Sequence, residues 1–260
     1  MLVPAFLGPC RVAIARAVCA REQGAVRGSR ALLWVLIGLG LGLLTFAPAE
    51  AQVAGNIALD SDYRLRGYSL TDEHPAFSAQ LSYDDPSGVY LSLSGLTELG
   101  NGGRFLGVIG DIGYAKRLNP DVTLEAGVLR SQIGAAGADV RGFKYTEVYA
   151  GAYVGVVSGR IYYSPDWRTA HAPTIYGELE AGFEPLTNWR LSAHVGLLTH
   201  LDSSTHYRAG DTEGDWRLGI ARQLGRFELH GAVSRGGPER RYGYRMHGKV
   251  ALTVGGSVSF

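Results

Sequence analysis

From Asn56 onward the chain alternates apolar and polar positions in short segments, and helical i, i+3, i+4 spacing is scarce. Period two places successive side chains on opposite faces of a strand, so the pattern predicts strands with two unlike sides. Segments of this kind fall at 55–66, 76–83, 89–99, 106–118, 122–133, 143–154, 158–164, 173–184, 189–201, 215–224, 227–235 and 242–260. The last is the clearest. Val250, Leu252, Val254, Val258 and Phe260 share one face, and Ala251, Thr253, Ser257 and Ser259 the other. Segment lengths cluster near the roughly 9 to 11 residues that a tilted strand needs to cross a bilayer.

The connections sort by size. Those at 67–75, 100–105, 134–142, 165–172, 202–214 and 236–241 are long, and those at 84–88, 119–121, 155–157, 185–188 and 225–226 are short, in strict alternation. A membrane barrel predicts this, with short periplasmic turns, longer outer loops and an even strand count that returns both termini to the periplasm. The expected fold class is therefore all-β, an antiparallel transmembrane β-barrel of about 12 strands. Aliphatic faces such as Leu91 and Leu93, Val148 and Ala150, or Leu218 and Ile220 would meet lipid. Aromatic girdles are expected from Tyr83, Tyr114, Phe183, Trp189, Phe227 and Phe260 near the short turns. Tyr63, Trp216 and Tyr242 would serve near the long loops. The opposite face carries Asp60, Asp62, Arg64, Arg66, Glu125, Glu147, Arg160, Glu178, Glu180, Arg190, His194, Arg217, Glu228 and His230, the residues expected to line the lumen. A soluble sandwich would put these charges outside and the aliphatic face in its core; a barrel reverses both.

The amino terminus agrees with export. Residues 1–30 carry five arginines against Glu22, an apolar run from Ala31 to Phe46 is short for a membrane span, and Ala49-Glu50-Ala51 suits cleavage. The expected division is a signal peptide over 1–51 and an outer-membrane barrel over 52–260. Both cysteines, Cys10 and Cys19, lie in the leader, so the mature chain offers no disulfide or cysteine-ligated metal. The leader also holds five of the 25 basic and two of the 24 acidic residues, leaving 20 and 22, a near-neutral chain without a basic face for nucleic acid.

Asn56 to Asp72, reading NIALDSDYRLRGYSLTD and followed by Pro75-Ala76, resembles the opening signature of the TorF-family porins. Glu147-Val148-Tyr149-Ala150-Gly151, Tyr162-Tyr163-Ser164-Pro165-Asp166, Tyr176-Gly177-Glu178-Leu179-Glu180 and His194-Val195-Gly196 extend the resemblance over the mature chain. Leu65, at an often aromatic position, and Tyr68, after the glycine, depart from it without disturbing the charged face. The resemblance implies an outer-membrane channel and names no substrate.

Asp60, Asp62, Arg64 and Arg66 fall at i, i+2, i+4 and i+6, so one strand would project two acids and then two bases. They would form either one wall of a polar eyelet or a cross-barrel salt-bridge ladder, since buried charges need partners. Ser192 and His194 share a face, and His230 lies beside Glu228, but both histidines take the lumen phase, whereas a lipid-cleaving barrel needs its site toward the membrane. A metal pair of His194 with His230 or Glu228 has no spacing signature. Gly67 is expected to serve backbone conformation at the strand exit, and Gly100-Asn101-Gly102-Gly103 is loop. The expectation is a non-enzymatic outer-membrane channel for small polar solutes or ions, with no cofactor, metal or catalytic residue. Its partners would be membrane lipid, the barrel assembly machinery through the strand ending in Phe260, and the solutes. The alternatives are a plugged structural or partner-binding barrel and an outer-membrane hydrolase.

Overall fold

The computed structural model describes residues 52–100, 103–134, 142–167, 173–203, 208–236 and 250–260. The expected leader, Tyr242 and the beginning of the last segment lie outside these. Fourteen strands form among the described residues: β1 (Gln52–Asp60), β2 (Arg64–Leu65), β3 (Tyr68–Ser69), β4 (Ala76–Asp84), β5 (Val89–Glu98), β6 (Arg104–Arg117) and β7 (Val122–Ile133). They continue with β8 (Phe143–Val154), β9 (Val157–Ser164), β10 (Thr174–Leu186), β11 (Trp189–His200), β12 (Thr212–Leu224), β13 (Phe227–Gly236) and β14 (Ala251–Ser259). Twelve of them close a barrel in the order β1, β14, β13 and so on down to β4, with every neighbouring pair antiparallel, while β2 and β3 pair only with each other. Closure leaves no strand of the wall without a neighbour on each side, so backbone donors and acceptors along the ladders find their partners without water.

Closure is made at β1. It pairs with β14 from Asn56↔Ser259 to Asp60↔Gly255, and with β4 from Gln52↔Asp84 to Asp60↔Ala76. Phe260 completes the seam: its N–H donates to Gly55 O at 3.0 Å, and the Gly55 N–H donates back to Phe260 O at 2.8 Å. The ring packs against Gly55, where a Cβ would sit 2.5 Å from Phe260 Cζ. A glycine is needed there so that the terminal aromatic can cover the strand.

The outward face is apolar, as the alternation requires. Leu93, Ile112, Val128, Ile161, Leu179, Val195, Leu218 and Leu252 stand exposed around the wall, and Leu252 is 72 % exposed. An apolar band this continuous has no counterpart on a monomer dissolved in water, where patches of a few hundred Å² are the rule; it suits hydrocarbon. Tyr114, Phe183, Phe227 and Phe260 are exposed on the same face near the short turns. Those turns, at 85–88, 118–121, 155–156, 187–188 and 225–226, share one end of the barrel with Gln52 and Phe260, and the longer connections share the other.

Two expectations fail at the same place. The first strand does not run to residue 66; its ladder ends at Asp60, where pairing with both neighbours stops. The chain bends at Ser61 and Asp62 and re-forms as the two-pair hairpin β2–β3, with Arg64 opposite Ser69 and Leu65 opposite Tyr68. Tyr63 follows it inward and is 8 % exposed, so it is part of the interior rather than of an outer girdle. The buried core lies inside the barrel, largely at the long-loop end, where Tyr63, Leu70, Leu96, Leu106, Phe143 and Trp167 surround the hairpin.

Candidate functional site

The hairpin is a strap across the lumen. Its turn is Arg66-Gly67, with φ of +50° and +75°, the two left-handed residues that a two-residue hairpin turn requires. Gly67 meets that need without strain; Arg66 does not, and so depends on tertiary contacts to stay. Those contacts lie on the far wall, where β9 is six strands from β1 in either direction. The Arg66 guanidinium donates to both carboxylate oxygens of Glu147 on β8, at 2.9 and 2.8 Å. It also stacks among three rings, with Cζ 3.8 Å from the Tyr176 centroid, 4.6 Å from Trp167 and 5.0 Å from Tyr162. Arg66 is 9 % exposed and Glu147 1 %. Beside the turn, Gly67 touches Gly236 on β13, and Tyr68 donates to Glu213 on β12.

The root of the strap is held separately. Asp62 accepts from Arg64 Nη1 at 2.8 Å, from Thr71 Oγ1 at 3.0 Å and from Ser69 Oγ, and Arg64 Nη2 donates to Gly67 O at 2.6 Å. The expected row of four charges is therefore dispersed. Asp60 stays on the wall, where it meets His230 Nε2 at 2.7 Å, Asp62 and Arg64 pair inside the hairpin, and Arg66 reaches β8.

The lumen below the strap divides in two. Between β5 and β9 it is filled: Arg160 pairs with Glu125 and Tyr153, Tyr90 Oη bonds Glu125 at 3.1 Å and Tyr149 Oη at 2.6 Å, and Asp111 accepts from Ser92 at 2.6 Å. These tyrosines fit because glycines stand next to them. A Cβ on Gly127 would lie 2.5 Å from Tyr149 Oη, and one on Gly113 would overlap the Tyr90 ring. The side formed by β10–β14, β1 and β4 keeps a cavity of about 270 Å³ that runs from Asn56 and Ser259 at the short-turn end to the underside of the strap, where it reaches Tyr145, Glu147 and Tyr162 on the far wall.

Of the fourteen residues expected in the lumen, eleven line this cavity. Glu125 and Arg160 belong to the filled half, and Arg190 pairs with Glu228 at its margin. Glu178 accepts from Tyr162 Oη at 3.0 Å, and Arg217 faces the cavity. His194 Nδ1 lies 3.1 Å from Glu180 Oε1, and its Nε2 lies 2.7 Å from Asp215 Oδ1. With both ring nitrogens against carboxylates, His194 offers Ser192 no general base. One ligand atom each from Glu178, Glu180 and His194 fall within 4.8 Å of one another, the closest approach to a metal-binding set among the described residues. Because both His194 nitrogens already face carboxylates, the group is read as an ion-pair set.

Sequence reasoning missed the interior tyrosines and the cage around Arg66. A signal existed: Tyr145, Glu147, Tyr149 and Tyr153 share one phase on β8, so aromatic residues occupy the charge-bearing face.

No functionally curated protein matches the chain. Among solved structures, the NanC porin is similar at 11 % identity, with 80 % of this chain and 99 % of that one covered and a TM-score of 0.48. The KdgM porin in complex with disordered oligogalacturonate is similar at 11 %, covering 81 % and 99 % with a TM-score of 0.46. Outer membrane phospholipase A from Escherichia coli is similar at 14 %, covering 79 % and 95 % with a TM-score of 0.41. A family described as "Bacterial protein of unknown function (Gcw_chp)" matches residues 46–233, the greater part of the chain, and the protein belongs to that family.

Proposed function

We propose that the protein is a channel of the bacterial outer membrane that passes small polar solutes or ions passively through a lumen narrowed by the strap. The observation that carries this reading is the cavity of about 270 Å³, lined by charged residues, that leads from the short-turn end to the strap inside a wall whose outer face is apolar. A barrel of twelve strands stands between eight-stranded ones filled by side chains and open sixteen-stranded porins, so one inserted hairpin is enough to set its bore. The resemblance to the TorF-family porins supports the same reading, and the fully engaged His194 argues against a hydrolase. The long connections would face outward, and the seam at Phe260 is the segment expected to engage the assembly machinery.

Single-channel recording tests it. The parent should give small, steady conductance steps, and a variant with residues 62–73 replaced by a short Gly-Ser link should give larger ones. Silence from both would overturn the channel. A silent parent beside a conducting strapless variant would favour the second reading, a barrel closed by its strap, which the buried Arg66–Glu147 pair supports.

A further inference from the structure

The group that receives Arg66 has the chemistry of a binding site. A carboxylate able to accept two parallel N–H bonds lies beside the faces of Tyr162, Trp167 and Tyr176, an arrangement that matches a planar guanidinium in both charge and shape. The chain fills it from the tip of a short hairpin. Arg66 holds a left-handed backbone, and the hairpin behind it has only two ladder pairs. The cage also has a way in, because Glu147, Tyr145 and Tyr162 line the cavity together with Arg66 itself. That cavity suits a cation. Its lining carries seven carboxylates against three arginines, and the balance stays acidic even with His194 and His230 counted as charged.

We propose that the Glu147 cage is a recognition site for guanidinium-bearing solutes, in which Arg66 is the resident stand-in, and that such a solute displaces Arg66 and frees the strap. The bidentate fork sets the selectivity: a guanidinium satisfies both Glu147 oxygens and stacks on the rings, whereas a compact ammonium ion satisfies the charge alone. Strap release then links the presence of the solute to the bore of the lumen.

The first test uses the unaltered barrel in detergent or lipid vesicles. Hydrogen exchange over residues 61–75 should accelerate and saturate with added methylguanidinium, less so with methylammonium, and not with urea, which has a similar shape but no charge. Equal exchange with methylguanidinium and urea would overturn the proposal. The second test is calorimetry on Arg66→Ala, whose cage is vacated. Methylguanidinium should bind saturably, and Arg66→Ala with Glu147→Gln should bind at least about tenfold more weakly, the expected loss of a charge-assisted bidentate contact. Absence of binding to Arg66→Ala, or equal binding by the double variant, would also overturn it. If Arg66→Ala does not fold, the exchange experiment on the parent decides. Neither readout requires conduction, so failure here leaves the channel reading standing, and a barrel that does not conduct leaves the cage testable.

Discussion

Replacing Gly67 with alanine should release the strap while sparing the barrel. The backbone there has φ of +75°, which costs a residue with a Cβ about 1–2 kcal/mol. The new methyl has no room: its Cβ would lie 2.5 Å from Gly236 N and still closer to Gly236 Cα, and both atoms belong to the wall. Gly236 is held by its ladder to Asp215 on β12, whereas β2 and β3 pair only with each other, so the tip is the part expected to move. Arg66 adjoins the substituted residue, and its two bonds to Glu147 are already 2.8 and 2.9 Å long. A retreat of about 1 Å would take them past bonding distance, at a loss of about 1.5–3 kcal/mol for each charge-assisted bond. Strain and even one of the two lost bonds together make about 2.5–5 kcal/mol against docking, more than a hairpin of two ladder pairs can resist by itself. The substituted residue lies outside the twelve wall strands and meets the wall at the end of β13. The expected outcome is therefore faster hydrogen exchange over residues 61–75 and larger conductance steps, with urea unfolding of the vesicle-inserted barrel close to that of the parent. A Gly67→Ala protein with a protected hairpin and parental conductance would refute the close contact with Gly236 and the role given to the strap.

Three other changes test the wall. Phe260→Asp removes the ring that covers Gly55 and puts a charge at the closing seam, so the yield of heat-modifiable, inserted barrel should fall sharply; normal yield would contradict the role of the terminal aromatic. Arginine at the outward Ala150 should cost about 2–4 kcal/mol near the bilayer midplane, whereas arginine at the inward Ser257, paired across the ladder with Glu228, should cost clearly less in the same unfolding assay. Equal costs would mean that the two faces are misassigned. Gly127→Val would drive its side chain into Tyr149 Oη and Ile112 O, and should destabilise by at least about 1–3 kcal/mol through overpacking and loss of the Tyr90–Tyr149 bond; parental stability would show that the filled half of the lumen is looser than described.

Residues such as Leu93, Val128, Leu179, Leu218 and Leu252 disclose their outward direction in the sequence, because a strand's period of two is local and a membrane requires every outward position to be apolar. The alternation of loop sizes is equally local, and together with the number of segments it determined the barrel and its two unlike ends. The inward direction of Glu147, Glu178, His194 and His230 followed from the same period. What these charges meet did not follow. Asp62, Arg64 and Arg66 continue the period of β1, yet the strand stops at Asp60 because the ladder to β4 and β14 runs out there, and pairing is a property of neighbours distant in sequence. The partner of Arg66 is 81 residues away, and its three rings come from two strands and a loop, so only closure of the barrel could bring them together. Periodicity tells a side chain which side it is on; the packing of the whole wall decides what waits there.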